Sequence, residues 1–252
     1  MLKKIEHADV LELRLERPPV NALDPTLVHA LHGAIGSAPA SGAKALVLSG
    51  MPGMFSAGLD VAVLLKLDRA GMSRFWDEFF SMLRCIAVSP IPVCCAITGH
   101  SPAGGAVMSI FCDYRIAAQG RFKIGLNEVQ VGLPVPRVIL AGLKRIVGGR
   151  QAERLAVCGL LVSPDEALAH GLVDQVLPPE EVVPAAVAWC HAVLDLPPKA
   201  MCATRGALRE DYPALFDTFL ARTREEMTDV WFSEESQRVL KGLMAELAAK
   251  KK

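Results

Sequence analysis

The sequence predicts an α/β fold, a mostly parallel sheet followed by a helical C-terminal portion. Three observations carry this. Short apolar runs at 45–48, 93–98 and 114–118 have the length and composition of buried strands. Segments with helical spacing lie between them, and strands alternating with helices imply right-handed βαβ crossovers. Beyond about residue 136 the chain reads as mainly helical.

The elements follow in order. Residues 2–17 alternate enough for a strand or hairpin, with Val10, Leu11, Leu13 and Leu15 as its apolar members, and Arg17-Pro18-Pro19 stops it. Asp24-Pro25 joins an N-cap residue to a proline in the first turn and opens a helix over about 25–36. Ser49-Gly50 and Pro52-Gly53 close the strand at 45–48. Helical spacing marks 60–67 and 71–88, and Pro90 and Pro92 break it before the strand at 93–98. Residues 99–106 read as a glycine-containing loop that runs into an apolar helix. Ser163-Pro164-Asp165-Glu166 predicts a capping box with proline at the first helical position, and Gly171 ends that helix. A short strand is expected at 173–177 and helices at 180–194, 199–210, 213–229 and 234–249. No repeat or low-complexity linker is visible. The expected division is an α/β core over 1–190 and a helical region over 191–252, packed on the core or on a neighbouring subunit.

Composition removes several classes of function. Of 252 residues, 52% are hydrophobic and 21% charged, which suits one ordinary domain with a large core and excludes a disordered chain. Lys and Arg number 27, as do Asp and Glu, so the basic excess of a nucleic-acid binder is missing. No apolar run reaches the roughly 18 residues that a membrane span needs. The N-terminus enters strand-like alternation without a signal peptide's apolar block. The seven cysteines are odd in number and lack C-x-x-C spacing, so they read as small core residues in a reducing, cytoplasmic compartment. The AAKKK tail reads as a solvated helix end.

Three segments offer chemistry. Phe55-Ser56-Ala57-Gly58-Leu59-Asp60 lies between a strand and a helix, where outward-pointing amides are unsatisfied and partly positive. In isolation, an ordinary strand-to-helix connection is the simpler reading. The second, 99–105, repeats the arrangement, with Gly104 and Gly105 at the start of an apolar helix; tight helix packing is the bland explanation. Together they are more informative, because amides from two helix starts can converge on one carbonyl oxygen as an oxyanion hole. In the third, 124–134, Glu128 sits among few charges. Apolar surroundings push a carboxyl pKa upward and suit it to general acid–base work near neutrality, although a capping or surface role is the simpler local reading. His29 and His32 have i, i+3 spacing but no third ligand nearby in sequence, so no metal is expected. The G-x-S-x-G elbow of a serine hydrolase is absent. Asp113 reads as structural, and Arg222, Arg224, Arg238 and Lys241 as a solvated face.

These segments, in this order, resemble the crotonase (enoyl-CoA hydratase/isomerase) superfamily, on the side of its mitochondrial-type Δ3,Δ2-enoyl-CoA isomerases. The likeness runs from Asn21-Ala22-Leu23 to the C-terminal helices. It is carried by FSAGLD at 55–60, SPAGGAV at 101–107, CDYRIA at 112–117, IGLNEVQVG at 124–132 and the stretch 152–182. The resemblance implies a ββα spiral core, C-terminal helices that build a homotrimer or dimer of trimers, an acyl-CoA thioester as substrate, and no cofactor beyond the CoA of that substrate. It implies that the Ala57 and Gly104 amides form the oxyanion hole, that Ala57, Gly58, Leu59 and Asp60 lie along CoA, and that Glu128 is catalytic.

One departure bears on the subclass. Typical hydratases carry a second glutamate three positions after the oxyanion-hole glycine, and here that position is Val107. Valine neither orients water nor moves a proton. A single carboxylate suffices to carry a proton from C2 to C4 of one acyl chain, so the resemblance implies 3-enoyl-CoA to 2-trans-enoyl-CoA isomerisation in fatty acid β-oxidation. Hydration of 2-enoyl-CoA with one glutamate, and non-catalytic acyl-CoA binding, remain as alternatives.

Overall fold

Alternation and capping build the scaffold of the computed structural model, which describes residues 1–249, with 219–221 described by backbone alone; the final lysines of the AAKKK tail lie outside the described residues. β1 (Leu2–His7) and β2 (Val10–Leu15) form the expected hairpin. Asp24 caps α1 (Pro25–Ser37) by accepting the Leu27 amide at 2.8 Å. β3 (Ala45–Ser49) leads to a two-residue strand, β4 (Gly53–Met54), and then to α2 (Val61–Leu64). The helix expected over 60–67 is therefore a single turn. Asp68 starts a new helix, α3 (Arg69–Ala87), by accepting the Gly71 amide at 2.7 Å.

β5 (Val93–Ile97) continues into β6 (Gly99–Pro102) and α4 (Gly104–Ile110), and β7 (Tyr114–Ala118) into β8 (Ile124–Gly125). The loop expected at 99–106 is thus partly strand. A 3-10 turn at Glu128–Val131 precedes α5 (Arg137–Val147) and α6 (Gly149–Val157). The predicted capping box is present at the start of α7 (Pro164–Ala169), with Ser163 and Glu166 bonded reciprocally. β9 (Gln175–Leu177), α8 (Val182–Leu194), α9 (Pro198–Leu208), α10 (Tyr212–Trp231) and α11 (Glu234–Ala249) complete the described chain.

The strands form two sheets. The larger has the order β1-β2-β3-β5-β7-β9 and is antiparallel only at β1-β2. The smaller is parallel, with the order β4-β6-β8. Each turn of the chain (β3-β4, β5-β6, β7-β8) gives one strand to each sheet and then a helix, which generates a ββα spiral. Successive residues of the large sheet enter opposite cores. Leu13, Leu46, Leu48, Cys95 and Ile97 join the aromatic face of α3 in the main core. Val10, Val47, Cys94, Ala96 and Ile116 enter a smaller core closed by Val182, Ala186 and Cys190 of α8. Position 190 falls inside α8, and α10 and α11 add Tyr212, Phe216, Met227, Trp231 and Leu240 to the main core. Cys158 and Cys202 are exposed and so depart from the core reading of the cysteines.

Asp113 performs the structural work its position suggests. It accepts the Val93 amide at 2.7 Å and pairs with Arg205 and Arg209, each at 2.9 Å. Those guanidiniums also cover carbonyls at the ends of α3 and α4, Ala87 and Phe111 among them. Removing the carboxylate leaves two largely buried cations facing each other. Asp113→Ala is expected to cost about 3 kcal/mol, read as a lower urea midpoint at unchanged slope.

Candidate active site

The spiral brings its turns together at one end. The segment after β4 and the segment after β6 meet there: a Cβ built on Gly58 would lie 2.9 Å from the Ala103 Cβ and 3.1 Å from the Gly104 nitrogen. Buried Asn21 holds the first segment. Its Nδ2 donates to the Met54 and Phe55 carbonyls at 3.2 and 3.0 Å, while Ser56 Oγ donates to the Asn21 carbonyl at 2.8 Å. α4 supplies the second segment, and its N-cap, Ala103, has no side-chain oxygen to satisfy the first amides.

The assignment of the Ala57 amide requires correction. It donates to the Val20 carbonyl at 2.9 Å and is therefore already used. Gly58 N bonds Ser56 Oγ at 3.2 Å, and Asp60 N bonds the Leu23 carbonyl at 3.0 Å. The Leu59 amide is left with no acceptor among the described residues, as is the Gly104 amide. Leu59, two positions from the residue expected, offers the free donor. Sequence alone does not reveal this, because it depends on which carbonyls the Arg17-to-Leu23 segment presents.

A cavity of about 400 Å³ opens at this junction. Ala57, Leu59, Asp60, Gly104, Val107 and Glu128 all line it, and Gly58 does not. Asp60 is also held structurally, since it caps α2 through Val63 N at 3.1 Å and pairs with Arg17 at 2.7 Å. Val107, at 1% exposure, presents only methyl groups.

Glu128 begins the 3-10 turn that Gly132 closes in the left-handed region, with φ at 75°. Gln130 Nε2 ties the turn to the Gly159 carbonyl at 2.9 Å, and Ser236 Oγ of α11 ties it to the Gly132 carbonyl at 2.7 Å. The Glu128 Oε2 atom is shut from solvent and has no hydrogen-bond partner among the described residues. Burial in these apolar surroundings raises its pKa from 4.5 to about 7, a backbone hydrogen bond offsetting part of the rise. The apolar context of the sequence predicts this direction. If ionised Glu128 is the base, kcat/KM rises with pH and levels off above about 7, falling about tenfold per unit on the acid side. A pH–rate profile without an ionisation near 7 would remove Glu128 as the base.

Two further lining residues carry little signal in the sequence. Asn127 has a buried Oδ1, and Trp76 a buried Nε1, with no partner among the described residues. The asparagine offers a weak cue, a polar neighbour of the glutamate in an apolar stretch. Trp76 resembles any core aromatic. Outside the cavity, His29 and His32 both bond Glu78 Oε1, at 3.0 and 2.8 Å, a cross-helix partner that sequence spacing could not supply. Among the described residues, no group of three or more His, Cys, Asp or Glu is arranged to hold a metal ion, and no helix is long and apolar enough to cross a membrane.

The two-sheet spiral with its helical C-terminal region is the crotonase fold. Residues 6–250 match the enoyl-CoA hydratase/isomerase family, and the chain belongs to it. It is 34% identical over 208 residues to human mitochondrial enoyl-CoA delta isomerase 1, covering 81% of this chain and 68% of that one. It is 31% identical to a probable enoyl-CoA hydratase of Mycobacterium avium, covering 80% of this chain and 78% of the other. Among solved structures, human mitochondrial Δ3-Δ2-enoyl-CoA isomerase superposes with a TM-score of 0.94 at 28% identity, over 100% of this chain and 99% of that one.

Proposed function

We propose that the protein isomerises 3-enoyl-CoA thioesters to 2-trans-enoyl-CoA, as part of fatty acid breakdown. The observation that carries this reading is that, among the described residues, the cavity holds a single unpaired carboxylate, that of Glu128. Arg17 and Asp60 also line it but neutralise each other, and the position of a second acid is Val107. In the proposed cycle, ionised Glu128 takes a proton from C2. The electrons delocalise onto the thioester oxygen, which the Leu59 and Gly104 amides stabilise. Glu128 then returns the proton at C4, and the double bond ends between C2 and C3. A base with a pKa near neutrality suits both halves of this transfer. The similarity to mitochondrial isomerases supports the same reading. We take the assembly to be a homotrimer or a dimer of trimers, a reading supported by α9, which buries none of its own residues and leaves Leu208 exposed.

Hydration of a 2-enoyl-CoA is the second reading, and one observation favours it. Asn127 Oδ1 is a second unpaired acceptor lining the cavity that holds Glu128, and two acceptors can share a water. A paired assay separates the two. Isomerisation predicts that a 3-enoyl-CoA gains conjugated-thioester absorbance while a 2-enoyl-CoA is stable. Loss of absorbance from the 2-enoyl-CoA, with no reaction of the 3-enoyl-CoA, would reverse the assignment.

A further inference from the structure

The segment that carries the free Leu59 amide has no regular structure to hold it. Residues 55–60 belong to no helix or extended strand, and Leu59 forms only a bridge to Leu23. Their amides are therefore aimed by what surrounds them. Phe55 N and Ser56 N donate to the His100 carbonyl at 3.0 and 3.3 Å. Three more contacts come from residues 20–23. Val20 O takes the Ala57 amide at 2.9 Å, Leu23 O takes the Asp60 amide at 3.0 Å, and Leu23 N donates to the Gly58 carbonyl at 2.8 Å. The stretch 20–23 is a template against which 55–60 is laid.

Asn21 fastens that template. It is buried, at 0% exposure, and does not line the cavity. Its φ of +51° lies in the left-handed region, which asparagine tolerates better than most residues with a side chain. Asn21 N donates to the Arg17 carbonyl and Asn21 Oδ1 accepts the Arg17 amide, both at 2.8 Å. That leaves the two Nδ2 hydrogens for the Met54 and Phe55 carbonyls. The Asn21 carbonyl accepts Ser56 Oγ, which itself accepts the amide of Gly58, the residue before Leu59. The position thus demands a left-handed φ together with an acceptor and two donors on a short side chain. Ionised aspartate lacks the donors, glycine lacks the side chain, and glutamine is a methylene too long.

We propose that Asn21 is a positioning residue for the reaction: acting with Ser56 Oγ, it fixes the Leu59 amide where the thioester oxygen gathers charge. This inference rests on the isomerase reading for its chemistry and on the hydrogen bonds of 17–23 for its residue. An oxyanion donor accelerates the reaction only while it is aimed at the oxygen of the transition state, and a misplacement of about 1 Å can cost about 10²-fold. Binding of the acyl chain and of CoA is spread over the whole cavity and does not depend on one amide. The signature is therefore a fall in kcat with affinity kept.

The experiment compares the full-length protein with Asn21→Gly and Ser56→Ala. Glycine keeps the left-handed φ without strain and removes the side-chain bonds. Alanine at position 56 cuts the link nearer to Leu59 and leaves Asn21 in place. Three quantities are read: kcat and KM on 3-hexenoyl-CoA, the affinity for hexanoyl-CoA, and the near-ultraviolet absorbance of the enolate formed from bound acetoacetyl-CoA. In that enolate Glu128 has taken a C2 proton and the electron pair of the broken C–H bond lies on oxygen, so charge stabilisation is read without turnover.

Asn21→Gly should lower kcat by about 10²-fold and weaken the enolate band, with hexanoyl-CoA bound within a few fold of the native affinity. Ser56→Ala should show the same pattern at smaller amplitude, and it decides the matter alone if Asn21→Gly does not fold. A native kcat and enolate band in either folded variant overturns the proposal. So does a loss of rate matched by an equal loss of hexanoyl-CoA affinity, which would make Asn21 a support of the whole site. If the native protein forms the enolate but does not turn over 3-hexenoyl-CoA, the isomerase reading fails alone and the enolate band of the variants decides the role of Asn21. If the native protein does neither, both readings fall.

Discussion

Glu128→Gln should abolish isomerisation, lowering kcat by at least about 10³–10⁴-fold while leaving acyl-CoA affinity within a few fold. The amide fills the space of the carboxylate but can neither accept the C2 proton nor deliver one to C4. Among the described residues no neighbouring group can take over, because Val107 offers no titratable atom and Asp60 is held by Arg17 and by its cap on α2. The same substitution should stabilise the fold at alkaline pH. A carboxyl whose pKa is about 7 when folded, against 4.5 in the open chain, binds its proton more tightly in the native state. The stability this gives is fully present below pH 4.5 and is lost as pH rises through 7. At pH 8 the native chain therefore carries an ionised, unpartnered oxygen that glutamine does not, a difference of up to about 3 kcal/mol. Melting curves at pH 8 and pH 5 should show the variant more stable at the first and nearly equal at the second. A variant that is inactive yet less stable at pH 8 would mean that Glu128 makes contacts beyond those described, and a variant that still turns over would exclude it from the proton transfer.

Sequence predicts structure here wherever local physics decides the outcome. Asp24-Pro25 and Ser163-Pro164-Asp165-Glu166 carry their own capping chemistry, and both helices start there. The central strands of the large sheet are uniform apolar runs and are legible as such. β4, β6 and β8 are not, since they are two to four residues long and built of Gly, His, Ser and Pro as well as apolar residues. Tertiary closeness selects that composition: a Cβ on Gly99 would sit 2.0 Å from the Gly53 carbonyl carbon, so two strands meet there only as bare backbone. The site divides in the same way. The apolar context of Glu128 is visible in one dimension and gives the direction of its pKa. Which amide in FSAGLD stays free is not, because Val20 and Leu23, distant in sequence, take the amides of Ala57 and Asp60 and leave that of Leu59.

That division makes Gly58 the most informative backbone position. Its φ of +82° places it in the left-handed region, where alanine costs roughly 1–2 kcal/mol. A methyl group there would also lie 2.9 Å from the Ala103 Cβ, 3.1 Å from the Gly104 nitrogen and 3.3 Å from the Pro102 carbonyl oxygen. None of these is the loose end of a flexible side chain, so the segment carrying Leu59 must move away from the start of α4. The proposed joint hold of the Leu59 and Gly104 donors on one thioester oxygen would then be lost. Losing one such donor costs about 10²–10³ in rate, so Gly58→Ala should lower kcat by that factor while saturated acyl-CoAs, which develop no negative charge, bind within a few fold of the native affinity. Gly33→Ala is the control, since a methyl group on that residue of α1 meets nothing within 4 Å and activity should not change. A Gly58→Ala protein with native kcat would show that the developing charge is held elsewhere. One that loses binding and rate in equal proportion would assign Gly58 to ground-state recognition of the thioester.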